Sequence, residues 1–144
     1  MRSLAPALGV RDAEAALSWY EAVFGAREVL RLTAPDGTIV HAEVEVEGCL
    51  LMLGEESPDQ GSTAPPSLGG TPVRLHLYVD DAEALASRAV ERGAELLIPV
   101  EKQFYGDLSG RFRDPFGHVW IVATRVEEVS PEEMQARMDR LFGG

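Results

Sequence analysis

The chain has little of what would mark its function at once. Among 144 residues there is one cysteine, Cys49, which excludes an internal disulfide and suits a reducing compartment, so a cytoplasmic protein is expected. Cys49 stands in a strand-like apolar run and is expected to be a small buried hydrophobe. There is no basic stripe: Lys and Arg number 13 against 24 Asp and Glu, a formal net charge of −11. Such a surface repels nucleic-acid phosphate and anionic membranes, and neither is expected as a partner. No run approaches the roughly 20 apolar residues of a membrane span, and the first residues lack the apolar stretch of a secretory leader. No glycine cluster leads from a strand into a helix as a phosphate loop requires. No Ser, Cys or Lys has the neighbours of an activated nucleophile.

What is present is a repeat. Leu8, Val10, Asp12, Ala13, Glu14, Ala15 and Ser18 return as Leu77, Val79, Asp81, Ala82, Glu83, Ala84 and Ser87, an offset of 69 residues. The run from Gly48 to Leu53 returns in register as Gly117 to Val122. A repeat of this length predicts one structural unit used twice, within a single domain over residues 1–144.

Each copy reads as β-α-β-β-β. In the first, a strand from Leu4 to Val10 precedes a helix from Ala13 to Phe24 that Asp12 caps and Gly25 ends. Alternation in Val40, Ala42, Val44 and Val46 makes a hairpin of 27–33 with 38–46, followed by a strand at 49–53. The second copy runs through a strand at 72–79, a helix capped by Asp81, a strand at 95–101, a loop at 103–107, a strand resuming at 110–113 and a last strand at 118–124. Between the copies, 55–71 is rich in Gly, Pro, Ser and Thr and reads as a linker. The modules are thus 2–54 and 72–126. Beyond them, Ser130, Pro131 and Glu133 open a helix over 130–142 whose Met134, Met138, Leu141 and Phe142 form an apolar stripe. That stripe is expected to pack on a partner chain or cap a cavity.

Paired β-α-β-β-β modules of this length, with Asp114-Pro115-Phe116-Gly117-His118 leading into the last strand, resemble the vicinal oxygen chelate superfamily, the group of glyoxalases, bleomycin-resistance proteins and extradiol dioxygenases. His41-Ala42-Glu43, His76-Leu77-Tyr78-Val79 and Tyr105-Gly106-Asp107 resemble its PhnB-like branch. The resemblance implies an α+β fold in which two tandem modules make a concave, barrel-like mixed sheet, and it implies a homodimer, whose pairing would also cover open strand edges. Metal-dependent members place one ligand on the first and one on the last strand of each module. Here those places map to Ala5, Met52, Arg74 and Ile121. A methyl, a thioether, a guanidinium and a hydrocarbon cannot replace imidazoles and carboxylates around a divalent ion, so no metal cofactor is expected there.

Strand parity places Arg74, His76 and Tyr78 on one face with Val119, Ile121 and Ala123, a mostly apolar wall with a few polar groups. Arg74 either holds a ligand carboxylate or phosphate, or neutralises Glu43 or Glu45. His76 is either a general acid or base or a half-buried imidazole bonded locally. His41, Glu43 and His76 would together supply two imidazoles and a carboxylate for a relocated iron site. Tyr105 and Asp107 either contact a ligand from their loop or form a local turn, with Asp107 paired to Arg111. His118 belongs to the packing side of the sheet.

Three functions follow. The first is a protein of this superfamily without the usual metal that binds a small organic molecule in the sheet cavity, with Arg74, His76, Tyr78, His41, Glu43, Met52, Tyr105 and Ile121 as candidate contacts. Its acidic surface agrees with a cationic ligand. The second is a lyase or dioxygenase with a metal relocated to His41, Glu43 and His76, or a metal-free isomerase using His76 and Arg74. The third is a non-catalytic structural module whose former pocket is filled.

Overall fold

The repeat is visible as two matching four-stranded mixed sheets in the computed structural model, which describes residues 2–143. Module one holds β1 (Ala7–Val10), α1 (Ala13–Phe24), β2 (Arg27–Thr33), β3 (Ile39–Val46) and β4 (Cys49–Glu55). After a short 3₁₀ turn at Pro58–Gln60 and α2 (Pro65–Leu68), module two holds β5 (Arg74–Tyr78), α3 (Ala82–Glu91), β6 (Glu95–Lys102), β7 (Asp107–Arg113) and β8 (Val119–Arg125). The chain ends in α4 (Pro131–Phe142). The strand orders are β1-β4-β3-β2 and β5-β8-β7-β6, with the outer pair parallel in each case. No helix among the described residues is long and apolar enough to cross a membrane.

The helix starts follow from their caps. Asp12 accepts from the Ala15 amide and Asp81 from the Ala84 amide, both at 3.0 Å, which satisfies one orphan donor at each N-terminus. Gly25 ends α1 in the left-handed region at φ 69°. Along β3, Ala42, Val44 and Val46 are buried, and their partners Leu51 and Leu53 in β4 are buried with them. The opposite parity, with Glu43, Glu45, Leu50 and Met52, stays open. Period-two patterning thus assigns one face of each sheet to the helices and leaves the other free.

One core joins both modules. Trp19, Tyr20 and Phe24 of α1 reach across to Phe112 and Trp120 of the second sheet, with the Phe24 and Trp120 ring centres 4.4 Å apart. Each such side chain contributes about 1.5 to 3 kcal/mol by leaving water. The polar atoms of this cluster are matched. Asp114, 3 % exposed, accepts from the Tyr20 hydroxyl at 2.7 Å, from Trp120 Nε1 at 2.9 Å and from the Phe116 and His118 amides. Burial, with Asp114 beside it, pushes the Tyr20 phenol well above its ordinary range. His118 Nε2 meets the Gly9 carbonyl at 2.9 Å, a structural role on the packing side.

Several boundaries differ from the sequence reading. β1 begins at Ala7 rather than Leu4, and β5 at Arg74 rather than Pro72. β7 begins at Asp107 rather than Gly110, because Asp107 and Leu108 pair with Arg125 and Thr124 and extend the ladder through what read as loop. The supposed linker is built. Glu56 accepts from the Ala64 amide and the Ser67 hydroxyl, and α2 packs on the Asp114–Gly117 turn. Gly117 stands at φ +96°, where a Cβ would lie 2.7 Å from the Pro65 Cβ. Cys49 is exposed rather than buried. It follows the Glu47-Gly48 turn at the very end of the sheet.

The stripe on α4 is likewise open within this chain: Leu141 is 61 % and Phe142 75 % exposed. The helix is held instead by Arg137, which donates to the Phe104 carbonyl and to both carboxylate oxygens of Glu127.

Candidate functional site

Each sheet turns its free face outward, and the two faces differ in chemistry. On the first, β3 and β4 place His41, Glu43 and Met52 together beside a recess of about 360 Å³ that His41 and Met52 line with Ala7, Ser57 and Gln60. Two of the charged groups around it are already partnered. His41 Nε2 and Glu43 Oε2 lie 2.8 Å apart, and Glu56 on the rim is occupied by Ala64, Ser67 and Arg11.

On the second sheet the register sets side chains in rows. His76, Ile121 and Arg111 form one row across β5, β8 and β7, and Arg74, Val119 and Arg113 form the row beside it. A recess of about 160 Å³ over the middle row is lined by His76, Gln103, Tyr105, Ser109, Arg111 and Ile121, with Ile98 and Gly110. At the seam between the modules a second recess of about 230 Å³ is lined by Arg74, His76 and mainly apolar residues including Leu50 and Leu77. His76 lines both. Neither Arg74 nor Arg111 enters an ion pair among the described residues. The Arg111 Nε–H is buried with no acceptor, a costly state for a charged donor.

The sequence candidates are therefore distributed. His76, Tyr105 and Ile121 meet in the second-sheet recess, and Arg74 joins His76 at the seam. Tyr78 stands apart: its hydroxyl donates to Asp107 Oδ2 at 2.7 Å and accepts from Arg125 at 2.9 Å. That donation to Asp107, with partial burial, holds the Tyr78 phenol above its ordinary value. Asp107 is fully buried and pairs with Arg125 Nε at 2.6 Å, not with Arg111. The expected neutralisation of Arg74 by Glu43 or Glu45 is absent too, because Glu43 is bonded to His41 and Glu45 to Arg27 on the other sheet. Gln103 and Ser109 were not singled out from the sequence, and Arg111 entered it only as a partner for Asp107. The signal for Arg111 was its parity with Ile121 through the turn at 114–117, available from the strands read at 110–113 and 118–124.

As for metal, Ala5, Met52, Arg74 and Ile121 offer no donor set for a divalent ion. The relocated set does not assemble within the chain either. His41 and Glu43 sit on β3 and His76 on β5 of the other sheet, and no group of three His, Cys, Asp or Glu side chains suited to a metal exists among the described residues.

Comparison with known proteins agrees with this architecture. Residues 4–122 match the model of the glyoxalase/bleomycin resistance protein/dioxygenase superfamily. An uncharacterised protein of Mycobacterium tuberculosis strain H37Rv is 41 % identical over 139 residues, 94 % of this chain and 82 % of the relative. Among solved structures, TioX from Micromonospora sp. ML1 is similar at TM-score 0.67 and 26 % identity, covering 90 % of this chain and all of that one. A glyoxalase-related enzyme from Fulvimarina pelagi is similar at TM-score 0.67 and 25 % identity, covering 87 % and 89 %. The fosfomycin resistance protein FosX from Listeria monocytogenes, with Mn(II) and sulfate, shares the fold at TM-score 0.64 and 16 % identity, covering 95 % and 97 %. With the duplicated module, the outward-facing sheets and the family match spanning both copies, the chain belongs to the glyoxalase/bleomycin resistance protein/dioxygenase superfamily.

Proposed function

We propose that this protein binds a small organic molecule against the free face of the second sheet, without the metal site usual in its superfamily. The observation that carries this reading is the contrast between the two faces. On the first, His41 and Glu43 bond to each other and Glu56 is held by Ala64, Ser67 and Arg11. On the second, His76, Arg74 and Arg111 surround apolar floor residues and keep their hydrogen-bonding capacity unspent, the make-up of a ligand pocket. Recesses of about 160 and 230 Å³ that share His76 suit a molecule with a compact polar end and an apolar body.

A homodimer is part of the proposal. Leu30 and Leu32 on the first sheet and Leu96 on the second are exposed large apolar residues, as is the stripe on α4. A second copy of the chain would cover them through an isologous contact. The PhnB-like branch and a cytoplasmic location remain part of the same reading.

A native mass spectrum of the protein purified without chelator tests it. Twice the chain mass with an organic adduct and no metal is expected. A divalent ion bound per chain would instead favour the lyase or dioxygenase reading, with His41 and Glu43 of one chain meeting His76 of another.

A further inference from the structure

The ligand's polar end is anionic, and its chemistry follows from one unmet donor. We infer that the second-sheet recess seats an oxyanion, a carboxylate or a phosphonate carried on an apolar body, with Arg111 as its principal contact and His76 opposite. This rests on the binding reading above.

Arg111 extends from β7 beside Ile121, and its Nε–H is buried with no acceptor among the described residues. Of the 13 basic side chains in this chain, most are answered by carboxylates or carbonyls, as Arg27, Arg31, Arg113, Arg125 and Arg137 illustrate. A protein with a net charge of −11 has carboxylates to spare, yet none lines this recess. Glu101, opposite Ser109 in the ladder, is exposed and outside the lining. Burying a guanidinium N–H without an acceptor is destabilising unless something else supplies one. The guanidinium fork matches two oxygens of a carboxylate or phosphonate.

The neighbours complete the arrangement. His76 and Arg111 flank Ile121 on either side, about 9 to 10 Å apart at their Cα atoms, the width of two strand spacings. An oxyanion between them would receive bonds from both sides, with Ser109, Gln103 and Tyr105 as further polar groups on the wall. From His76 the seam recess continues toward Leu50 and Leu77 and is predominantly apolar. The recess thus opposes the expectation, drawn from overall acidity, of a cationic ligand.

The test follows the arginine Nε–H resonances of the isotope-labelled protein by NMR during titration with phenylphosphonate, phenylacetate, benzyl alcohol and benzylammonium, and measures affinities by calorimetry. The Arg111 Nε–H signal of the unaltered protein is expected to move saturably with one or both anions, and the stronger of the two identifies the oxyanion. Arg111→Met should weaken that anion about tenfold or more, while Arg92→Met, an equal charge change away from the sheet face, should not. If benzyl alcohol or benzylammonium saturates the same face and the anions do not move Arg111, the anion inference fails while the binding reading stands. If no probe perturbs the face, both fail. Because the wild-type resonance is itself a readout, failure of Arg111→Met to fold would leave the inference open to contradiction.

Discussion

Glu43 and Arg111 stand at matching positions of the two modules. Glu43 opposes Met52 across β3 and β4, and Arg111 opposes Ile121 across β7 and β8, while Met52 and Ile121 are related by the repeat offset of 69 residues. The duplicated fold therefore carries opposite charges at one structural place. In module one the charge is answered internally by His41. In module two it is not, and the proposed site lies in that half of a symmetric frame.

A buried guanidinium N–H with no acceptor should destabilise the ligand-free protein. Arg111→Met, which keeps an unbranched stem as far as the Nε position and removes the charge, is expected to leave stability unchanged or raise it by about 1 kcal/mol in urea unfolding. A loss of several kcal/mol would show that Arg111 holds the sheet together and is no binding group.

Asp114 is the opposite case, a buried carboxylate with all its bonds made. Asp114→Ala strands the Tyr20 hydroxyl, the Trp120 indole N–H and two turn amides in the core that joins the modules. A loss of about 3 to 5 kcal/mol is expected. A change below about 1 kcal/mol in urea unfolding would refute the role of this turn as the joint between modules.

The docking of α4 should be acid-sensitive. Hydrogen bonds from Arg137 and Lys102 hold the Glu127 carboxyl down to about 2, from an ordinary value of 4.5, and Arg137 and Arg140 hold Glu133 below its ordinary value. A carboxylate lowered in the folded state contributes stability above its ordinary pKa, and that contribution is lost as pH falls toward the lowered one. Amide protection along α4 should therefore decline between about pH 4.5 and 2 ahead of the sheets. Protection of α4 and of the sheets lost together would contradict it.

Removing α4 also bears on assembly. Its stripe of Met138, Leu141 and Phe142 is exposed in the single chain, and a helix of about 12 residues is marginal without burial. Truncation after Val129 is expected to weaken self-association in sedimentation. Equal association of truncated and full-length protein would make α4 an appendage of the monomer.

Much of the fold was legible in the sequence because it rests on local rules. The caps at Asp12 and Asp81, the alternation from Ala42 to Val46 and the repeat itself each fix an element without reference to the rest, while at Val40, which is exposed beside a buried Ile39, a register shift breaks the alternation. Cys49 was misplaced because strand parity says which face a residue takes and nothing of where the helix above it ends. The site was only partly legible. Parity placed His76 and Ile121 together, but Tyr78 and Asp107 are bound to Arg125 by contacts that no spacing reveals, and Arg111, though in a strand read correctly, was taken only as a partner for Asp107. The linker read as featureless because its order comes from Glu56 and from the close approach of Pro65 to Gly117, both of them tertiary contacts.

The pseudo-equivalence of Met52 and Ile121 supplies the most direct test of where the ligand lies. Tryptophan at either position would fill the free face of one sheet and leave the other as it is. The measurement is the affinity for phenylphosphonate by calorimetry in Met52→Trp and Ile121→Trp, with folding checked by circular dichroism. The account predicts that Ile121→Trp abolishes binding and Met52→Trp leaves it within about twofold. Binding lost in Met52→Trp and retained in Ile121→Trp would contradict it.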